Sequence, residues 1–454
     1  MIQLGVERRK DSVMKLSRYN ILKKIGNRTV FFNSMTCALA IVNNDFLQII
    51  ADIEDNKYNE NKYNKDLIAS MKQAGCIVDD DIDELDLIQF YRNCGKFNTS
   101  SLALTIAPTL DCNFRCPYCY EEHKNGIMTM QTQDALLSFI GRRISSIKKL
   151  DIAWYGGEPL LAKNVIYRLS ENMIKVCKKT GVRFDAFIIT NGSLLTDEDI
   201  SDFLKYYIKG AQITIDGPKE IHDKRRISCN YQSTYEVIVA NINKLLENNI
   251  NVIVRINIDK LNINMVGELL NELKRKITKY NKIKIDFGKV SVFTDICKSV
   301  ENHCFDNEQY ANVMLPLYEE AWKRGFSMNQ MIIYPRLRFN YCCFDYVNSY
   351  VVDVEGNLYK CWNHVGNLNM RCGNVRDKEN IISGQYLRCV QWNPLTFDRC
   401  RSCNVLPICM GGCPDSAMKN RNTPVCDTIR YNLDKIIELY YMKLKGNVNT
   451  SIIT

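Results

Sequence analysis

Three cysteines that lie close together in the sequence offer the first chemistry. Cys112, Cys116 and Cys119 fall within eight residues, in a segment that leaves a predicted strand and enters a loop. Their thiolates can ligate three irons of a four-iron cluster, and because no fourth cysteine is near, one iron stays open for an exchangeable ligand. A zinc site with His123 as its fourth ligand is the alternative, since pairs of cysteines two residues apart are also common around zinc.

Polar and glycine-containing segments end the next predicted strands. Gly156-Gly157-Glu158-Pro159 follows the second strand, and Thr190-Asn191-Gly192 follows the third. Glycines there let the backbone approach a ligand closely, and a carboxylate beside them can face an ammonium group. A guanidinium such as that of Arg226 suits a carboxylate ligand. The candidate ligand-binding residues at these strand ends are Gly156, Gly157, Glu158, Asn191, Thr214, Arg226 and Asn257.

More cysteines cluster near the C-terminus. Of 20 cysteines in the chain, three lie within residues 342–361 and five within 400–426. Such short spacings are typical of metal sites, and a disulfide framework is not expected in a chain without an export signal. The cysteines that fit no spacing are expected to be small buried hydrophobic residues. They are Cys37, Cys76, Cys94, Cys177, Cys229, Cys297, Cys304, Cys372 and Cys389.

Strands alternate with amphipathic helices between residues 101 and 290. Six strand–helix repeats predict an α/β fold with a parallel sheet and right-handed crossovers. In such sheets ligands bind at the carboxyl ends of the strands, which is where the motifs above fall. The predicted strands cover residues 102–109, 150–155, 183–190, 211–215, 252–258 and 284–290, and predicted helices include 131–148 and 235–248.

The segments that flank this sheet have other patterns. Residues 1–98 predict a separate α+β unit with three short strands and three helices. Residues 306–325 predict a helix, and residues 342–430 have too little periodicity for an ordinary core, so bound metal is expected to supply stability that packing does not. A final helix is predicted over residues 427–444.

Composition excludes several classes of function. Hydrophobic residues make up 46% and charged residues 24% of the chain, the balance of a globular protein. No apolar run approaches the roughly 18 residues of a membrane span, and the N-terminus lacks the apolar core of a signal peptide. We therefore expect a cytoplasmic protein with no membrane partner. The net charge of +9 is spread along the chain, which argues against nucleic-acid binding.

Taken together, the cysteine spacing and the strand-end motifs over roughly residues 100–430 resemble the radical S-adenosylmethionine (SAM) superfamily. The resemblance includes Tyr118, which precedes the last cysteine and joins the residues expected to bind SAM. It implies a partial (β/α)6 TIM-type barrel in which SAM chelates the open iron through its amino and carboxylate groups. An electron from the cluster then breaks a carbon–sulfur bond and yields methionine and a 5′-deoxyadenosyl radical. The Gly156-Gly157-Glu158-Pro159 segment is expected to contact the SAM amino group.

The C-terminal cysteines are similar to the SPASM domain, a cysteine-rich module that holds two auxiliary four-iron clusters. Carried over by position, one cluster would be ligated by Cys400, Cys403, Cys409 and Cys426, and the other by Cys343, Cys361 and Cys413. Some relatives have a further cysteine at the position of Leu337. The second cluster therefore has an open iron, or the neighbouring Cys342 fills it.

The resemblance also implies an organisation and a function. The expected domains are an N-terminal α+β unit (1–98), a radical SAM partial barrel (99–305), a helical linker (306–341) and a SPASM domain with a C-terminal helix (342–454). SPASM enzymes mostly act on peptides, so we expect a maturase of a ribosomally made precursor peptide, with thioether crosslinking as a candidate reaction. The N-terminal unit either recognises the leader of that peptide or only caps the barrel. A flavodoxin- or ferredoxin-type protein would donate electrons.

Two alternatives remain open at this point. An anaerobic sulfatase-type maturase, which oxidises Ser or Cys to formylglycine, shares the same clusters. A non-catalytic iron–sulfur or zinc scaffold would have no need of the motifs at successive strand ends. The sequence does not distinguish a thioether from a carbon–carbon link or an epimer.

Overall fold

The computed structural model describes residues 14–327, 333–378 and 382–446. The first residues of the predicted N-terminal unit, part of the predicted linker and the end of the predicted SPASM domain lie outside the described residues. The chain forms two compact units. The larger comprises Lys96–Ile333 and Cys342–Trp392, and the smaller comprises the described residues of Met1–Gly95, Tyr334–Tyr341 and Asn393–Thr454.

Strands and helices alternate in the middle of the chain. The strands are β1 (Met14–Leu16), β2 (Asn20–Ile25), β3 (Arg28–Asn33), β4 (Leu39–Val42), β5 (Ile77–Asp79), β6 (Ser101–Ile106), β7 (Lys149–Trp154), β8 (Arg183–Thr190), β9 (Ile208–Thr214), β10 (Asn251–Ile258), β11 (Lys284–Lys289), β12 (Ser349–Val352), β13 (Asn357–Tyr359) and β14 (Gly373–Asn374). The α-helices are α1 (Asn44–Glu54), α2 (Lys65–Gln73), α3 (Glu84–Lys96), α4 (Met130–Gly141), α5 (Lys163–Thr180), α6 (Asp197–Lys205), α7 (Lys219–Arg225), α8 (Tyr235–Glu247), α9 (Val266–Lys276), α10 (Asn307–Lys323), α11 (Gly384–Val390), α12 (Asp398–Arg401), α13 (Leu406–Cys409), α14 (Pro414–Lys419) and α15 (Ile429–Gly446).

The larger unit is built on one parallel sheet. Strands β6 to β11 lie side by side in chain order, and each pairs in parallel with the next. Alternate residues of β6, β7, β8 and β10 are buried, as expected for strands with one face covered by helices. The predicted parallel α/β sheet is therefore confirmed, and the carboxyl ends of six consecutive strands share one edge of the sheet.

The sheet continues beyond the six predicted strands. Strand β12 pairs in parallel with the free edge of β6, and β13 and β14 follow it antiparallel. All four residues of β12 are buried, so the strand has no alternating pattern that periodicity could detect. Gly356, with φ +81°, makes the turn between β12 and β13, and a Cβ there would lie 2.6 Å from Val375. The expectation that residues 342–430 lack an ordinary core is thus wrong for β12 to β14.

The smaller unit joins both ends of the described chain. Strands β2, β3 and β4 form an antiparallel sheet, and β1 pairs with β5. Val30 and Phe32 of β3 pack against Ile408, Leu433 and Ile437 near the C-terminus. The N-terminal strands and the C-terminal helices therefore share one hydrophobic core.

Element boundaries differ from the predictions mainly at helix ends. The helix predicted over residues 131–148 ends as α4 at Gly141, and a short 3-10 turn, Ile144–Ser146, leads into β7. The domain boundaries given above remain a prediction. None of the described helices is long and apolar enough to cross a membrane.

Candidate active site

The cysteine loop after β6 borders a cavity of about 470 Å³, which Cys112, Cys116 and Cys119 all line. The loop is fixed by backbone contacts, because the Arg115 amide donates to the Ile227 carbonyl at 2.7 Å. The Asp111 carboxylate also accepts a hydrogen bond from the Cys112 amide at 2.8 Å. The three thiols are thus held at one wall of the cavity by the local backbone.

The spacing of the ligand atoms favours a cluster over a single ion. No three ligand atoms among Cys112, Cys116, Cys119 and His123, all of them described residues, lie within 4.8 Å of one another. A tetrahedral zinc with bonds of about 2.3 Å needs its sulfurs about 3.8 Å apart. Burial is the main reason that the pKa of each thiol is raised, in Cys119 to about 12. Ligation by thiolates therefore requires positive charge from the bound group, which either an iron cluster or a zinc ion supplies, so only the spacing of the ligand atoms favours the cluster.

Two glycines let the end of β7 pack directly on the cysteine loop. A Cβ on Gly157 would lie 2.2 Å from the Asp111 carbonyl oxygen, and one on Gly156 would lie 2.2 Å from that of Thr109. Gly156 also has φ +117°, which residues with a side chain rarely adopt. Both glycines line the cavity, so their backbone is open to a ligand.

The carboxylate of Glu158 turns away from the cavity. The side chain is fully buried and accepts hydrogen bonds from the Thr190 hydroxyl at 2.6 Å, the Asn191 amide at 2.7 Å and the Leu160 amide at 3.0 Å. Asn191 in turn donates from its side chain to Asn113 of the cysteine loop at 2.7 Å. Glu158 therefore links the ends of β7 and β8 to the loop, and it does not line the cavity with its neighbouring glycines.

Tyr118, which lines the cavity, is part of a hydrogen-bonded network with Asp216 and Arg226. The Tyr118 hydroxyl donates to the carboxylate of Asp216, which follows β9, and accepts from Arg226 Nη1 at 2.9 Å. The other oxygen of Asp216 accepts from the backbone amide of Asn257 at 2.8 Å. Arg226 Nε is buried and has no hydrogen-bond partner among the described residues. This free donor fits the carboxylate of a ligand such as SAM.

The structure assembles most of the predicted SAM-binding residues. Tyr118, Gly156, Gly157, Asn191, Thr214, Arg226 and Asn257 line the cavity together with the three cysteines. Glu158 alone among them is absent from the lining. Their roles as ligands stay a prediction.

Several lining residues were missed by the sequence analysis. Tyr155 and Trp362 pack with ring centroids 4.4 Å apart, and the hydroxyls of Tyr120 and Tyr155 are hydrogen-bonded to each other. Burial raises the pKa of Glu121 to about 7, although a hydrogen bond with Tyr155 lowers it. The signal for Glu121 and Tyr120 was available, since both directly follow Cys119 in the sequence. Trp362 likewise follows the predicted ligand Cys361, but its place at this cavity depends on the pairing of β6 with β12, which adjacency does not reveal.

Arg255, another residue that lines the cavity, is held by an ion pair. Arg255 forms an ion pair with Asp286 of the neighbouring strand, and its Nε donates to the Asn257 side chain at 3.2 Å. The guanidinium lies over Gly288, where a Cβ would be 1.8 Å from Arg255 Nη2. Gly288 thus makes room for a charged group beside the ligand site.

The cysteines proposed for the auxiliary clusters are divided between the two units. Cys343 and Cys361 belong to the larger unit, where Cys361 lines the cavity. Cys413 belongs to the smaller unit. Cys342 is exposed. Among the cysteines expected to be buried, Cys94 and Cys229 are exposed, and that expectation was wrong for them because spacing carries no information on exposure.

The smaller unit brings the other four cysteines together. Burial, followed by the neighbouring Cys426 and Cys403, raises the pKa of Cys400 to about 11. Burial raises the pKa of Cys409 to about 12; a hydrogen bond with the Asp427 backbone lowers it, and the nearby Cys426 raises it. These mutual effects require the thiols to be near one another, and four thiols are the donor set of a fully ligated four-iron cluster.

Comparison with known proteins identifies a radical SAM domain in the chain. The model of the Radical SAM superfamily matches residues 106–273. The chain is 23% identical to the radical SAM cyclopropyl synthase TigE of Paramaledivibacter caminithermalis, over 93% of this chain and 95% of that protein. It is 26% identical to a cysteine-type anaerobic sulfatase-maturating enzyme of Clostridium novyi, over 69% of this chain and 88% of that protein.

Among solved structures, SuiB of Streptococcus suis has a similar fold. The structure of SuiB bound to its precursor peptide SuiA matches with a TM-score of 0.53 and 14% identity, over 90% of this chain and 98% of SuiB. The structure of SuiB bound to SAM matches with a TM-score of 0.54 and 15% identity, over 90% of this chain and 97% of SuiB.

Proposed function

We propose that this chain, which has a radical SAM domain at residues 106–273, is a radical SAM enzyme that modifies a ribosomally synthesised precursor peptide. Cys112, Cys116 and Cys119 are the proposed ligands of the SAM-cleaving cluster. When bound, this cluster supplies the electron that cleaves SAM to methionine and a 5′-deoxyadenosyl radical. The observation that carries the proposal is that three thiols and the ends of successive parallel strands border one cavity of about 470 Å³.

The protein's own groups would bind and orient SAM. Arg226 offers its unpaired Nε–H to the SAM carboxylate, and Tyr118 and Asp216 hold the guanidinium in place. The backbone of Gly156 and Gly157 is open to the SAM amino group. Glu158 acts one step away, because it positions Asn191 by a hydrogen bond rather than facing the ligand.

The auxiliary clusters would serve the oxidation of the substrate. We assign one to Cys400, Cys403, Cys409 and Cys426, and the other to Cys343, Cys361 and Cys413. Leu337, which stands where some relatives have a further cysteine, packs among hydrophobic residues of the smaller unit. The second cluster then has three protein ligands unless Cys342 is the fourth. A flavodoxin or ferredoxin is the proposed electron donor.

A peptide substrate is supported by the relatives that match most of the chain. SuiB was solved with a precursor peptide, and its match extends over 90% of this chain, whereas the sulfatase-maturating enzyme covers 69%. In the smaller unit, β2 and β4 are the two edges of their sheet. A leader peptide could pair with such an edge through main-chain hydrogen bonds.

The proposed product is a sulfur-to-carbon thioether. The motive is the three-cysteine ligand set, which leaves room for a substrate thiol near the reacting carbon, and such positioning lowers a barrier. Formation of the bond would transfer one hydrogen atom from the substrate carbon to the 5′-deoxyadenosyl radical and one proton from the thiol to solvent. It would also release one electron, for which an auxiliary cluster is the proposed acceptor. A carbon–carbon ring is the second candidate, because the cyclopropyl synthase TigE matches 93% of the chain. Oxidation to formylglycine is the third, because of the sulfatase-maturating relatives.

The test uses anaerobically reconstituted enzyme with SAM, a strong reductant and a synthetic cysteine-containing peptide encoded beside the gene. Wild-type enzyme should release 5′-deoxyadenosine, and a triple variant of Cys112→Ala, Cys116→Ala and Cys119→Ala should release none while it keeps the iron of the auxiliary clusters. Undiminished release by the triple variant would refute the assignment of the cluster.

Mass spectrometry of the peptide separates the products. A thioether requires a loss of two hydrogens and a cysteine that iodoacetamide no longer alkylates. The same loss with every cysteine still alkylated favours the carbon–carbon ring, and an aldehyde that reacts with hydrazides favours formylglycine. A peptide that stays unchanged while SAM is cleaved would contradict the proposed substrate class.

A further inference from the structure

The hydroxyl of Tyr19 is a buried polar group that lacks a partner. Tyr19 precedes β2 and its side chain is 0% exposed, yet its hydroxyl has no hydrogen-bond partner among the described residues. The backbone on both sides is fixed, because the Tyr19 amide donates to Ser17 Oγ at 3.1 Å and its carbonyl accepts from the Ser34 amide at 3.1 Å. An unpaired buried hydroxyl costs free energy and calls for an explanation.

The surroundings of Tyr19 contain cysteines of the smaller unit. Its ring belongs to the same hydrophobic cluster as Cys400, Leu406 and Met410. Burial is the main reason that the pKa of Tyr19 is raised, and the charged groups that act on its hydroxyl are Arg18, Glu84, Asp83 and, with the smallest effect, Cys403. The ring therefore lies beside two of the four cysteines assigned to one auxiliary cluster.

The segment around Tyr19 is also tied to the cysteine-bearing loop. Arg18 Nη2 donates to the Arg401 carbonyl at 2.8 Å. The Ser34 hydroxyl donates to the carbonyl of Asn404. These two bonds flank Cys403, so the position of Tyr19 relative to that cysteine is set by direct contacts on both sides.

We propose that the Tyr19 hydroxyl donates a hydrogen bond to a sulfur of the auxiliary cluster held by Cys400, Cys403, Cys409 and Cys426, and thereby raises its reduction potential. The inference rests on the proposed assignment of these four cysteines. Cluster and thiolate sulfurs accept hydrogen bonds, and a donor stabilises the reduced cluster more because that form carries more negative charge. Tyr19 would thus tune the reduction potential of a cluster whose first ligand, Cys400, is 381 residues away in the sequence.

The test compares Tyr19→Phe with Tyr58→Phe in the full-length reconstituted enzyme. Tyr58 is a matched control, because its hydroxyl is also buried and has no hydrogen-bond partner in the part of the chain that the structure describes. Its ring packs against a different hydrophobic cluster of the same unit. Iron and sulfide content is measured first, and the auxiliary clusters are then titrated redox-potentiometrically with detection by electron paramagnetic resonance. A variant with Cys400, Cys403, Cys409 and Cys426 all replaced by Ala identifies the signal of their cluster.

We expect that Tyr19→Phe keeps the iron content of the wild type and shifts that one signal to lower potential, whereas Tyr58→Phe shifts none. An unshifted signal in Tyr19→Phe, or an equal shift in both variants, would overturn the hydrogen bond while leaving the cluster assignment intact. If the four-alanine variant loses no iron, the assignment itself fails, and the inference fails with it.

Discussion

The substitution Glu158→Gln distinguishes a carboxylate that faces SAM from one that holds the site together. In the structure both oxygens of Glu158 are occupied, one by the Thr190 hydroxyl and the Leu160 amide and the other by the Asn191 amide. Glutamine keeps one accepting oxygen and replaces the other by an amide nitrogen, which only donates. At least one of these bonds is therefore lost, and a buried N–H is left facing another donor.

The expected cost follows from the strength of such bonds. A hydrogen bond to a charged group contributes about 1.5–3 kcal/mol. Burial raises the pKa of Glu158, with the hydrogen bonds acting in the opposite direction. Burial therefore disfavours the charged carboxylate, and the neutral amide of glutamine avoids this desolvation cost, which offsets part of the lost hydrogen-bond energy. We expect a net destabilisation of about 1–3 kcal/mol. Because Asn191 also holds Asn113 in the cysteine loop, SAM cleavage should fall as well.

The assay is thermal unfolding of the reconstituted protein followed by circular dichroism, together with SAM affinity by calorimetry. The control is Glu171→Gln, since Glu171 is half-exposed and pairs with Lys175 on the surface of α5, where such a pair contributes about 0–1 kcal/mol. Glu158→Gln should unfold at a clearly lower temperature than the control. If it unfolds with the wild type and only its SAM affinity falls, the carboxylate faces SAM and the buried network has been misread.

Two further predictions concern the smaller unit. The first is the joint replacement by Ala of the four cysteines assigned to one cluster, Cys400, Cys403, Cys409 and Cys426. Iron content, measured by ferrozine assay, should fall from about twelve to about eight per chain, because three four-iron clusters become two. Unchanged iron would mean that these cysteines are not ligands. The second concerns Leu22, an exposed leucine on edge strand β2. Leu22→Ala should weaken leader binding, measured by fluorescence anisotropy, by roughly threefold to tenfold, because each methylene buried against the peptide contributes about 0.8 kcal/mol. Leu204→Ala, at an exposed leucine of α6, should leave the affinity unchanged, and equal effects of the two substitutions would count against leader recognition by this sheet.

The features that the sequence predicted are those that local patterns determine. The α/β fold class is confirmed by the parallel sheet and by the similar fold of SuiB, and the predicted resemblance is matched by a radical SAM domain at residues 106–273. Both were predictable because strand alternation and short cysteine spacings are visible over a few residues. The meeting of Gly156, Asn191, Arg226 and Asn257 at one cavity also follows from sequence. Parallel strands bring their carboxyl ends together whatever the loops between them contain.

The features that it did not predict depend on contacts between distant segments. Glu158 carries a carboxylate that could bind a ligand, but its side chain is oriented by a hydrogen bond from the Asn191 amide, which follows β8. Strand β12 pairs with β6, although the two strands begin 248 residues apart in the sequence. Neither feature can be predicted from residue spacing or hydrophobic periodicity.

The shared core of the smaller unit affects how any experiment on the N-terminal residues is interpreted. Sequence patterns treat residues 1–98 and the cysteine-rich C-terminus as separate parts, whereas Val30 and Phe32 pack against Ile408 and Leu433. Deleting the N-terminal residues would expose these apolar side chains to water, at about 25 cal/mol for each Å² uncovered. Loss of leader binding after such a deletion could therefore result from an unfolded cluster site. A single exposed side chain such as Leu22 can be changed without uncovering that core, so a loss of affinity there reports on the peptide itself.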